Sequence, residues 1–108
     1  MPQRALGEFE HYVLLALLSL GGRGHGAPVV EALQSTTGRA VSPAAVFIAL
    51  RRLEQRGLTR SSKRDPRPGE GGRGRRVFQL TPVGMAKLRD ARRTLERLWS
   101  SSPASDLT

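Results

Sequence analysis

The chain has 108 residues, enough for one domain with a modest core and too few for two independent ones. It has no cysteine, which excludes a disulfide framework and thiolate zinc sites, and its two histidines, His11 and His25, offer a weak metal site at best, so no metal and no cofactor is expected. The formal charge of +9 is uneven: residues 1–38 carry two basic and three acidic groups, residues 39–76 eleven and three, and residues 77–108 five and three. Nearly all the excess therefore sits in the middle third, the footprint expected for a polyanionic partner. The longest apolar run, residues 13–18, is six residues long and follows Glu8 and Glu10, so neither a membrane span nor a secretory leader is expected. A cytoplasmic protein without a membrane partner fits this composition.

A first helix is predicted from residue 7 or 8 to residue 20, with acidic groups in its first turn, where the helix dipole favours them, and Gly21-Gly22 as its stop. Phe9, Val13, Ala16, Leu17 and Leu20 form one apolar stripe, yet Tyr12, Leu14, Leu15 and Leu18 spread hydrophobicity around most of the circumference, so this helix needs cover on two sides. A polar connection over residues 21–26 leads into a short second helix with Pro28 near its start, Val29, Val30 and Leu33 inward, and Gly38 after its end.

Residues 42–57 read as a complete third helix. Ser42 can cap the free N–H groups of the first turn, Pro43 suits the first helical position, and Gly57 can take the left-handed conformation that ends a helix. At about 100° per residue, Val46, Ala49, Leu50 and Leu53 share a core face, and Ala44, Ile48, Arg51 and Gln55 share the opposite one, flanked by Ala45 and Arg52. Small residues at one end and side chains that can form paired hydrogen bonds at the other suit a helix that enters a major groove. Two short helices joined by a brief turn containing a glycine form a helix-turn-helix, with the third helix in the recognition position.

Strands are expected over residues 58–62 and 75–80. Between them, residues 63–74 (KRDPRPGEGGRG) carry two prolines and four glycines among basic side chains, and read as the tip of a hairpin. Arg73, Arg75 and Arg76 are its candidates for backbone or minor-groove contact. Thr81-Pro82 repeats the cap-plus-proline start and opens a last helix over residues 82–99. Leu88, Ala91, Leu95 and Leu98 follow one another at spacings of 3, 4 and 3, a short seam with Met85 one turn earlier and Trp99 at its end. The expected organisation is mainly α with a small β-hairpin: a winged helix-turn-helix over residues 1–80, a dimerisation helix over 81–99, and a disordered tail over 100–108.

With these elements in place, the chain resembles the phenolic-acid-decarboxylase regulator (PadR) family of bacterial transcription factors, in its short form with a single C-terminal helix. The stretches that carry the resemblance are LGEFEHYVLLALLSL, the His25-Gly26 pair, SPAAVFIALRRLEQRGL and GRRVFQLTPVGMAKL. The chain departs from the family where Phe47 stands for a usual Tyr, where Val77-Phe78 stands for Tyr-Tyr or similar, and at Ala27. If the hydroxyl that matches Phe47 contacts phosphate in the family, the resemblance implies that phosphate anchoring here leans on Arg51, Arg52 and the hairpin arginines, and Phe47 is expected to pack against the core. The resemblance implies a homodimer that binds an operator, with repression relieved by a small molecule.

The leading expectation is thus a dimeric, sequence-specific regulator of duplex DNA with a palindromic operator. Its DNA-facing residues are Ser42, Pro43, Ala44, Ala45, Ile48, Arg51, Arg52, Gln55, Arg73, Arg75 and Arg76. Dimerisation falls to Tyr12, Leu15, Met85, Leu88, Leu95 and Leu98. Trp99 is open to two readings: plain packing on the partner's first helix, or, with Leu95, one wall of a slot for a planar aromatic effector. The alternative function is non-specific binding of RNA or single strands, which the chain's five aromatic residues disfavour because such modules stack bases on exposed rings. An enzyme is not expected: there is no cysteine nucleophile, no phosphate-binding glycine loop, and neither histidine has an acidic partner at a useful spacing.

Overall fold

Seven elements follow one another in the order α1 (Glu8–Ser19), β1 (Arg23–Gly24), α2 (Gly26–Thr37), α3 (Pro43–Gln55), β2 (Thr59–Arg64), β3 (Arg75–Leu80) and α4 (Pro82–Ser100) in the computed structural model, which describes residues 5–64 and 75–103. The helix boundaries lie where the local chemistry puts them. Ser42 Oγ accepts from the Ala45 N–H at 3.2 Å with Pro43 in the first turn, and Thr81 Oγ1 accepts from the Gly84 N–H at 3.0 Å ahead of Pro82. Gly38 and Gly57 have φ of 70° and 76°, the left-handed turn that a side chain resists, and Gly57 N–H closes the end of α3 on the Glu54 carbonyl.

The sheet has the order β1-β3-β2, antiparallel throughout, with Thr59 opposite Leu80 and Arg64 opposite Arg75. β1 was not expected: the residues between α1 and α2 add a two-residue strand in which Arg23 faces Gln79 and Gly24 faces Phe78. Two residues carry no strand periodicity, so the pairing exists only because the turn after α1 lies along β3. His25 Nδ1, 3.2 Å from the Arg76 carbonyl oxygen, holds the same turn against the hairpin as donor.

One core joins Val13, Leu14 and Leu17 of α1, Val29 and Leu33 of α2, Val46, Leu50 and Leu53 of α3, and Leu58, Phe78 and Leu88. The inward face of α3 is the expected one. On α1 it is rotated: Leu14 is fully buried whereas Phe9 and Leu20 are partly exposed, because α2 and α3 both pack on α1 and together cover the side that includes Leu14. Leu88 also departs from its expected place. It is 4% exposed and belongs to the chain's own core, so it is not part of a free seam.

Two contacts lock the hairpin to the helices. Buried Thr59 donates its hydroxyl to the Leu50 carbonyl at 3.2 Å, and Thr81 donates its own to the Gly57 carbonyl at 2.7 Å. Gly84 sits against the Leu58 carbonyl so closely that a Cβ would drive into backbone. α4 therefore leaves the domain at one fixed angle. Beyond Ala91 each residue of α4 is exposed.

Candidate nucleic-acid interface

The outer face of α3 is built by the same periodicity that buries Val46, Ala49, Leu50 and Leu53. Ser42, Pro43, Ala44, Ile48, Arg51, Arg52 and Gln55 are exposed, and Ala45 is half-buried on the side facing α1. The helix thus offers one uninterrupted ridge, small at its capped end and cationic with an amide at the other. Beside it, towards α1, lies an open depression lined by Gly7, Glu8, Phe9, Ala45, Ile48 and Arg52, among others. The nearby Glu10 is occupied by Arg56 at 3.3 Å, which neutralises one carboxylate next to the cationic ridge.

The hairpin flanks the other side. Its register puts Lys63 opposite Arg76 and Arg64 opposite Arg75, two successive pairs of like charge. Like charges directly across a strand pair are destabilising. Both pairs stand at the end of the hairpin nearest its tip. Lys63 and Arg64 fell within the expected loop; the signal that reaches them is the pairing itself, which continues two residues beyond the apolar alternation. Arg75 is exposed and Arg76 half-buried. Arg73 lies outside the described residues.

One acidic residue joins ridge and hairpin, and sequence reasoning missed it. Glu54 accepts from Arg51 Nη1 at 3.3 Å, from the Ser61 N–H at 3.2 Å and from the Ser61 hydroxyl at 2.8 Å, and Ser61 Oγ in turn accepts from Arg76 Nη1 at 2.9 Å. A chain of hydrogen bonds therefore runs from Arg51 on the outer face of α3 to Arg76 on β3. Its only advance sign was Glu54 standing alone amid the basic residues of the third helix. Phe47, expected on the core, does only half of that: its ring meets Phe78 edge to face at 5.9 Å, yet it remains 46% exposed.

A second, apolar surface lies elsewhere. Tyr12 and Leu15 are exposed on α1 and line a groove against Ala32, Leu33, Thr36 and Thr37 of α2. Leu95, Leu98 and Trp99 are exposed on α4, Trp99 at 71%, while Met85 is half-buried nearer the domain. His11 lines a shallow groove with Lys87, Asp90 and Thr94 between α1 and α4. Within α4 an Arg93 hydrogen bond holds the exposed Asp90 carboxyl below its usual range. Among the described residues no cluster of three His, Cys, Asp or Glu could hold a metal ion, and no helix is long and apolar enough to cross a membrane.

Comparison with known proteins gives this geometry a context. The family described as "Transcriptional regulator PadR-like family" matches residues 14–90. The transcriptional regulator Rv3488 of Mycobacterium tuberculosis is 43% identical over 74 residues, which is 68% of this chain and 64% of that protein, so the match spans less than two thirds of the relative. A structure of Bordetella bronchiseptica BpsR, described as showing regulation of its DNA binding by 6-hydroxynicotinic acid, is 25% identical with a TM-score of 0.67, covering 99% of this chain and 76% of that one. F93 from STIV, a winged-helix DNA-binding protein, is 15% identical with a TM-score of 0.65 over 86% of this chain and 94% of its own, a likeness of fold.

Proposed function

The chain belongs to the PadR-like family of transcriptional regulators, which are not enzymes, and from that membership we propose that it is a homodimeric, cytoplasmic repressor that reads a palindromic operator in duplex DNA. The observation that carries this reading is the juxtaposition of an exposed, capped α3 ridge with a hairpin bearing the Lys63–Arg76 and Arg64–Arg75 pairs. A helix enters the major groove, where Arg51 and Gln55 can form paired hydrogen bonds to base edges. The hairpin cations lie on the flanking backbone, where they add affinity without sequence preference.

One protomer has one recognition helix, and a palindrome needs two, set about 34–36 Å apart or a multiple of that. The exposed apolar residues of α1 and of the projecting half of α4 support a two-fold dimer, because each leaves uncovered what the other could cover. Trp99 and Leu95 lie within that surface. The regulation of BpsR by a planar aromatic acid supports an effector of the same class here, with two Trp99 rings as walls of its slot. Such a ligand releases DNA only if it prefers a different spacing of the two α3 helices.

Selection of bound duplexes from a random pool at physiological salt tests the proposal. A palindromic consensus is the expected result; binding without sequence preference, or preference for single strands or RNA, would replace it with the non-specific alternative.

A further inference from the structure

The outer ridge of α3 changes chemistry halfway along. Its second half carries Arg51, Arg52 and Gln55. Its first half presents Ala44 and Ile48, with Phe47 towards the hairpin, and Ser42, the polar side chain at its start, is occupied in capping Ala45. Ile48 is 49% exposed, and Phe47 beside it is comparably open. Single exposed apolar residues are ordinary. Here, however, two large ones stand side by side on a helix whose next turn is cationic, between a neutralised carboxylate and a hairpin of paired cations. Phe47 is also held in place: it stands edge to face, at 81°, on Phe78, which is itself anchored in the core. With alanines at positions 44 and 45, nothing bulky keeps Ile48 from the floor of a groove.

The partner of such a surface must be apolar at a point and anionic around it. In the major groove of DNA one base feature meets that description, the C5 methyl of thymine; the other edges are hydrogen-bonding groups that Ile48 and Phe47 would leave unsatisfied. Uracil lacks the methyl, and the deep, narrow major groove of an RNA helix does not admit protein side chains.

We propose that the first half of α3 recognises thymine by its methyl group, with Ile48 as the central contact and Phe47 as the flanking one, leaving hydrogen-bonded readout to Arg51 and Gln55. This rests on the duplex-reading function above and specifies the base chemistry it selects. Ile48 and Phe47 are then specificity-determining residues, and each half-site carries at least one thymine whose methyl is buried on binding.

The test replaces each thymine of the selected operator, one at a time, by deoxyuridine, which removes the methyl and leaves the base-pairing edge and the phosphates unchanged. The wild-type protein should lose about three- to fourfold in affinity at one or two positions of each half-site, the worth of one buried methyl. Ile48→Ala, which keeps the helix because alanine is its best former, should bind thymine and uracil equally at the central position. Phe47→Ala should do the same at the flanking one. The proposal is overturned if no uracil weakens binding, or if the thymine preference survives in both variants while their melting curves show them folded. A selection that returned no consensus would overturn the duplex-reading function as well, so the two failures are separable.

Discussion

Glu54 accepts two hydrogen bonds from Ser61, one from its backbone N–H at 3.2 Å and one from its hydroxyl at 2.8 Å, and so ties the last turns of α3 to β2. The same carboxylate holds Arg51. One side chain therefore braces the hairpin, alongside the Thr59 and Thr81 contacts, and also holds Arg51. Glu54→Ala should lower stability by about 1–2 kcal/mol, the cost of leaving part-buried donors unmet. It should also raise affinity for random duplex, because a negative charge is lost and Arg51 is released. Melting curves together with titrations of operator and random duplex check both. A specific-to-random affinity ratio equal to that of the wild type would reduce Glu54 to a purely structural role.

Arg51 and Gln55 should carry hydrogen-bonded base discrimination. Replacing either with Ala should relax preference at one position of each half-site by about 1–3 kcal/mol. Competition among single-base operator variants measures this. Uniformly weaker binding with unchanged preference would place the residue among the phosphate contacts.

The hairpin should contribute affinity rather than sequence preference. In Lys63→Ala/Arg64→Ala/Arg75→Ala, each lost phosphate contact should reduce the slope of log affinity against log salt by roughly 0.9. Melting curves of the same variant check that the hairpin stays folded when the Lys63–Arg76 and Arg64–Arg75 pairs are removed. An unchanged slope would falsify this role.

Two leucines on one helix should separate dimerisation from folding. Leu95 is 49% exposed in the single chain, so Leu95→Glu should leave the domain folded, yield monomers in sedimentation and reduce DNA binding to a weak, salt-sensitive remainder. Leu88→Glu places a charge in the protomer core and should unfold the domain outright. If Leu95→Glu remains a dimer, the interface lies elsewhere. With the dimer intact in Trp99→Ala, loss of saturable quenching by planar aromatic compounds, together with loss of their effect on operator affinity, would support the effector slot. Dissociation of that variant would support plain packing.

Gly84→Ala should destabilise the domain by about 1–3 kcal/mol, the usual cost of overpacking, because the added methyl meets the Leu58 backbone carbonyl, which cannot swing aside as the neighbouring Leu80 side chain can. Chemical denaturation measures it. A wild-type midpoint would mean that α4 shifts freely against the hairpin, contrary to the clip between Thr81 and Gly57.

What the amino-acid sequence determined by itself is what depends on neighbours within a few residues. Ser42 and Thr81 cap, Pro43 and Pro82 begin, Gly38 and Gly57 end, and the 3.6-residue period assigns Val46, Ala49, Leu50 and Leu53 to the inside and the Ile48–Arg51 ridge to the outside. Each follows from a local hydrogen bond, a dihedral restriction or the pitch of one helix. What only the tertiary structure decided depends on residues far apart in the chain. An apolar residue on a helix that is apolar nearly all round can face its own core or a partner, and periodicity treats both alike, so the burial of Leu14 and Leu88 awaited the packing of α2, α3 and the hairpin around them. β1, the Glu54–Ser61 joint and the opposed cations of β2 and β3 likewise arise from where strands and helices meet, because pairing register and side-chain contact are set between elements rather than within them.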